Sequence, residues 1–185
     1  MGGKDVLSQV KALRWTGTAH VESGGRSLEI EVSTRVEPFM RARSETKLTG
    51  TDDSRTLILE PEGGWIERNS TRTPLAAAQT EHERQQYGLY GYMLLVRAPT
   101  RVVGDHLVAE RPGLPPATLL LEGDAVMAAD YAVASPDGNG TIAQRFLLEG
   151  ALEDRGIRWP QTITILQNDK PYFMLDLESF AVELA

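Results

Sequence analysis

From Trp15 to Glu22 the chain alternates, with Trp15, Gly17, Ala19 and Val21 set against Thr16, Thr18, His20 and Glu22. A period of two is that of a strand buried on one face. Ser23-Gly24-Gly25 reads as a turn. Leu28, Ile30 and Val32 then alternate with Glu29, Glu31 and Ser33 in a returning strand. From Phe39 the pattern predicts a third strand, with Met40, Ala42 and Leu48 opposed to Arg41, Arg43, Glu45 and Lys47. Ahead of this meander, Val6, Val10 and Leu13 stand at helical spacing, which predicts a short helix over about Lys4 to Ala12. Thr56–Glu60 and Trp65–Asn69 predict a hairpin across Pro61-Glu62-Gly63-Gly64, and polar sequence follows through Pro74.

The rhythm changes once, over Thr80–Val96. Thr80 and Glu83 have the spacing of a capping box, and Tyr87, Tyr90, Gly91 and Leu94 form a stripe at steps of three and four. Each of Gly88 and Gly91 costs a helix about 1 kcal/mol relative to Ala, so that face is expected to approach something closely. Strand-like stretches resume at Leu107–Glu110, Ala117–Glu122, Val126–Ala134 and Ile142–Leu152, with a Pro-rich loop at Arg111–Pro116 and a turn at Asp137–Gly140. The last pair is Ile157–Gln167 and Tyr172–Leu184. Phe173, Leu175 and Leu177 are out of phase with Phe180, Val182 and Leu184, which predicts a β-bulge near Glu178-Ser179. Pro160 has no N–H for a ladder and points to an edge or bulged position. The pattern as a whole predicts an α+β chain, mainly antiparallel β: a curved sheet with a helix against its inner face. Such a shape suits a binder of something apolar.

Composition narrows this picture. A length of 185 residues, 41% of them hydrophobic, fits one unit running from 1 to 185 with a substantial core. The net charge is −7, and no basic stripe interrupts it, which argues against nucleic acid. There are no cysteines, so disulfides and thiolate chemistry are excluded. No apolar run approaches the roughly 20 residues a membrane helix needs. Met1-Gly2-Gly3-Lys4 opens no signal peptide, and the abrupt start is compatible with attachment through a lipidated residue further upstream.

Candidate chemistry adds little. His82-Glu83-Arg84-Gln85-Gln86 begins like a zinc-protease helix but carries Gln86 where the second histidine belongs, so His82 is read as a solvated helix residue. His20 and His106 lie in separate strands with no carboxylate spacing around them. Asp137 opens a calcium-like loop whose twelfth position is Leu148 rather than Glu. Asp52-Asp53 reads as a solvated loop, and Asn69-Ser70-Thr71 fits a glycosylation sequon, which matters only in a host that glycosylates it. No metal, cofactor or catalytic residue is expected.

Several segments together suggest a family. Pro38-Phe39-Met40-Arg41, Trp65 after Gly63-Gly64, and the acidic start of the long helix are three of them. The closing run is the fullest: Asp154-Arg155-Gly156-Ile157-Arg158-Trp159-Pro160, Thr162-Ile163-Thr164-Ile165, and Asn168-Asp169-Lys170-Pro171-Tyr172-Phe173. These segments, in this order, resemble the LolA-like superfamily of periplasmic lipoprotein carriers. The resemblance implies an unclosed half β-barrel with helices over its concave face and an apolar cavity for acyl chains. It further implies a Gram-negative cell envelope, a lipid or acylated lipoprotein as partner, and no cofactor.

On that picture the concave lining comprises Trp15, Ile30, Val32, Met40, Leu57, Trp65, Ile163, Phe173, Leu175 and Leu177, with Tyr90 and Leu94 from the helix. The same apolar alternation would equally make a filled core. Arg41 and Arg43 are candidates for anionic headgroups, although their alternation sets them on the polar side. A monomer is expected. The competing reading is a non-enzymatic envelope module that contacts other envelope proteins through a sheet edge or the charged convex face.

Overall fold

A computed structural model describes Met1–Ala185. The chain opens with α1 (Lys4–Ser8) and a meander of β1 (Val10–Ser23), β2 (Arg26–Glu37), β3 (Arg41–Leu48), β4 (Ser54–Glu60), β5 (Gly63–Arg68) and β6 (Thr71–Pro74). After α2 (Ala77–Met93) come β7 (Thr100–Val103), β8 (His106–Arg111), β9 (Leu114–Glu122), β10 (Ala125–Ala134) and β11 (Thr141–Glu149). A short hairpin, β12 (Leu152–Asp154) and β13 (Ile157–Trp159), precedes β14 (Thr162–Gln167) and β15 (Lys170–Leu184). Thirteen strands form one open antiparallel sheet in the order β6-β5-β4-β3-β2-β1-β15-β14-β11-β10-β9-β8-β7, with β12 and β13 paired apart from it.

That order gives α2 its place. The two edges of the sheet are β6 and β7, and α2 is the segment that joins them. The helix therefore straps one edge to the other, across the mouth of a sheet that never closes. The inner face below it begins with Leu13, Trp15, Gly17 and Ala19 of β1, which register with Val36, Thr34, Val32 and Ile30 of β2. It continues through Ala42 and Ser44 of β3 to Leu59 and Leu57 of β4, and on the other side through Leu175 and Phe173 of β15 to Ile163 and Ile165 of β14.

The phase slip in the last strand is real. Thr16 pairs with Ser179 and Gly17 with Leu177, so Glu178 is the extra residue of a bulge. Gly17 is required there, since a Cβ would stand 2.1 Å from the Asp176 carbonyl oxygen.

Elsewhere the boundaries differ from expectation. The first helix ends at Ser8, and Val10 and Leu13 belong to β1, because both side chains lie in the sheet's core. The long helix starts at Ala77 rather than Thr80, with the Gln79 side chain accepting from the Ala76 N–H at 3.4 Å, and it ends at Met93. Thr80 is a buried first-turn residue facing Gly64. Pro115 and Pro116 lie inside β9 rather than in a loop. Ladder pairing of β9 with β10 stops at Ala117, so neither proline interrupts a pair there. The stretch expected as one strand over Ile157–Gln167 is divided at Pro160 into β13 and β14. Edge strands β6 and β7 were not anticipated.

His82 is not solvated. It is 6% exposed, and its Nδ1 lies 2.8 Å from the Ala134 carbonyl oxygen. The Ala134 N–H donates to Gln85 Oε1 at 2.6 Å. Ala134 lies beyond the last residue of β10 that β9 pairs, so α2 side chains satisfy backbone groups that a neighbouring strand would otherwise take.

Candidate functional site

The two ends of α2 rest on different surfaces. Tyr90 stands edge-on to Trp15 at 4.9 Å between ring centroids and lies within 6.1 Å of Trp159 and 6.4 Å of Phe146. Trp159, delivered by β13, stacks on Phe180 at 5.5 Å with planes 2° apart. This aromatic cluster closes one end of the concavity. Leu94 is fully buried at the helix end, and Ile163 and Leu177 are buried in the sheet, so these three are core.

Beneath the N-terminal half of α2 the space is not filled. An inner cavity of about 130 Å³ lies between the helix and strands β1–β4, β14 and β15. Trp15, Ile30, Val32, Leu57, Tyr90, Phe173 and Leu175 line it, which places these seven expected residues around one space. A second cavity of about 230 Å³ opens at the rim, between β3, the middle of α2 and the β8–β9 turn. Val36, Ala42, Leu59, Gly88 and Leu114 form its floor, with Phe39, Met40 and Arg41 above. Tyr87 is the one residue that lines both cavities. Burial raises the pKa of its phenol well above the ordinary tyrosine range; the Glu83 charge adds to the shift and the Ser44 hydroxyl opposes it.

Two expected positions differ. Met40 is 56% exposed on the turn before β3, so it belongs to the rim and not to the sheet's inner face. Trp65 is on the convex face. It registers with Ile58 on β4, which registers with Arg43, and the Arg72 guanidinium lies 4.0 Å over its ring. Its neighbour Ile66, opposite Leu57, takes the inward position. Arg43 is also on the convex face, 3.6 Å from Glu67, whereas Arg41 reaches the rim cavity.

The polar lining of the inner cavity was not anticipated. Thr34, Ser44, Thr46 and Arg55 rise from the sheet, and Glu83 and Gln86 descend from the helix. Thr34 and Ser44 are buried and hydrogen-bonded to each other at 2.8 Å. Burial raises the Glu83 carboxyl pKa above its ordinary range, while the charges of His82 and Arg55 pull it back. The signal was parity: Ser44 and Thr46 continue the inward phase of Ala42, and Arg55 that of Leu57. No three of His, Cys, Asp or Glu gather as a metal site would need.

Three solved structures share this architecture. A domain from Vibrio parahaemolyticus described as an outer membrane lipoprotein-sorting protein superposes with a TM-score of 0.60 at 6% identity, covering 93% of this chain and 85% of that one. A DUF1329 family protein from Desulfovibrio piger gives 0.59 at 10% identity, over 97% and 89% of the two chains. A LolA superfamily protein from Nitrosomonas europaea gives 0.52 at 7% identity, over 100% and 95%. The chain has a LolA-like fold. No protein-family model matches the sequence, and no curated protein matches it. At these identities the likeness is one of fold. No helix of the LolA-like chain is long and apolar enough to cross a membrane.

Proposed function

We propose that this chain is a non-enzymatic carrier of the cell envelope, acting in the periplasm as one LolA-like unit and holding a lipid or the acyl part of a lipoprotein beneath α2. The observation that carries this reading is the pair of cavities under one helix, with Tyr87 the one residue that lines both. Apolar residues dominate the inner one, and each buried methylene of a ligand would gain about 0.8 kcal/mol there. Sites for small ligands usually span about 300–1,000 Å³, more than either cavity alone. Loading therefore requires Tyr87 to swing aside or the N-terminal half of α2 to lift. That half is the one fastened by polar side chains, His82 and Gln85 to Ala134 and Arg84 to the carbonyls of Glu60 and Pro61, rather than by the aromatic cluster.

Native mass spectrometry of protein from a bacterial host, followed by solvent extraction, tests the reading. A co-purifying lipid is expected, and Ser44→Leu, which fills the inner cavity, should remove it while leaving a cooperative unfolding transition. A bare protein mass that gains nothing from added lipid would refute the carrier. It would favour the interaction module instead, for which the edge strand β7 offers Val102 at 76% exposure and Val103 at 46%.

A further inference from the structure

The rim cavity has a charge pattern that an apolar carrier does not require. In a chain of net charge −7, nine of the fifteen arginines stand in ion pairs with carboxylates. Arg41, Arg84 and Arg111 do not, and all three line this one cavity. The only acid among its lining residues is Glu37, which is committed to Arg35 at 2.5 Å. Arg84 is fixed across the β4–β5 turn, where Nη2 donates to the carbonyls of Glu60 at 2.8 Å and Pro61 at 3.0 Å. Arg111 lies 4.5 Å over the ring of Phe39. Phe39 itself is held in the left-handed region, φ 64°, with its ring against Gly91 and edge-on to Tyr92 at 5.3 Å. A non-glycine residue kept in that conformation marks a rim whose shape the surrounding packing enforces.

Unpaired guanidinium groups at the mouth of an apolar floor complement one kind of molecule. We propose that the rim cavity seats the anionic head of a single-chain amphiphile, a carboxylate or phosphate gripped by Arg41 and Arg111. The chain then runs over Leu59 and Leu114 toward Tyr87. The proposal rests on the carrier reading and adds to it the class of headgroup. Arginine suits the role because its planar fork meets either oxyanion with two parallel hydrogen bonds. At about 230 Å³ the rim cavity is smaller than the roughly 300–1,000 Å³ of most small-ligand sites, which favours one chain over two.

Isothermal titration with decanoate, decyl phosphate and 1-decanol tests it on the wild-type chain, on R41Q/R111Q, and on R26Q. Arg26 is an exposed, unpaired arginine at the far turn between β1 and β2. Both anions should bind the wild type and R26Q at least about tenfold more tightly than the alcohol, the factor one charge-assisted hydrogen bond supplies. In R41Q/R111Q that preference should collapse toward one, with an unchanged melting transition showing that the fold is intact. A preference for only one of the anions would support the proposal and identify the source of the head. Equal affinity for decanol and the anions in the wild type would overturn the headgroup assignment and leave the carrier standing. A preference that survives in R41Q/R111Q would overturn the role of these two arginines. Failure of all three amphiphiles to bind would remove the carrier reading as well.

Discussion

The two halves of α2 look down on the same sheet and meet opposite solutions. From Leu89 to Leu94 the helix enters a filled interior, with Leu89, Tyr92, Met93 and Leu94 at 0% exposure and Tyr90 among Trp15, Trp159 and Phe146. From Glu83 to Tyr87 it stands over Thr34, Ser44 and Thr46, short side chains that leave space between sheet and helix. Curvature of the sheet does not by itself make the empty space. The difference lies in side-chain length along one register, from Trp15 to Thr34 to Ser44. Hydroxyl groups could not be left bare there, and the Thr34–Ser44 hydrogen bond satisfies both.

The most damaging way to test this contrast is at the filled end. Trp159 is 1% exposed, stacked on Phe180 and close to Trp15 at 6.1 Å. Trp159→Ala should cost about 3–5 kcal/mol, the usual range for emptying a buried aromatic site, and urea unfolding would read it. A loss under about 1 kcal/mol, the level of an ordinary substitution, would mean the aromatic end is as loosely filled as the other.

A finer test uses the two helix glycines, which sit on either side of the boundary. A Cβ on Gly91 would fall 2.5 Å from Phe39 Cζ, and that ring is backed by Tyr92 and Arg111. Overpacking of this kind costs about 1–3 kcal/mol, more than the roughly 1 kcal/mol that alanine returns through helix propensity. On Gly88 the same atom would meet the tip of Leu114 at 3.1 Å, a flexible side chain bordering open space. Gly91→Ala should therefore lower the melting temperature, and Gly88→Ala should hold or raise it. If both variants lose stability alike, the rim cavity is not there to receive Leu114.

These contrasts also explain what the sequence could tell. The stripe of Tyr87, Tyr90, Gly91 and Leu94 was legible because a helix against a sheet must repeat its apolar face. The bulge at Glu178 was legible because a slip of one residue inverts every later side chain. Edge strands β6 and β7 were not, since all their residues are exposed and no alternation is imposed on them. His82 read as solvated because its partner, Ala134, lies 52 residues further on. Trp65 and Ile66 are adjacent and both apolar, so the phase of β5 had no local signal, and the larger residue turned outward. In the candidate site the apolar wall was readable by alternation. The polar floor was not, because Thr34, Ser44 and Thr46 look like a solvent face until strand pairing shows which way they turn.

The mildest effect expected concerns pH and sharpens the picture of the open half. Glu83 lines the inner cavity with Arg55, Tyr87 and Tyr172. Its carboxylate keeps partial exposure at the cavity mouth yet is surrounded by protein, and that burial raises its pKa above the ordinary value of 4.5. The folded chain thus holds this proton more tightly than the unfolded chain does. Its contribution to stability is complete below the ordinary glutamate range and declines as pH rises through that range toward the folded value. Glu83→Gln keeps the shape and removes the ionisation. The variant should match the wild type at low pH and exceed it at neutral pH, with the gap opening upward from about pH 4.5 in a urea-unfolding series. A gap that stays constant with pH would show Glu83 fully hydrated. The open half would then be an aqueous cleft, and the low floor of hydroxyl side chains would have water above it, not room for a chain.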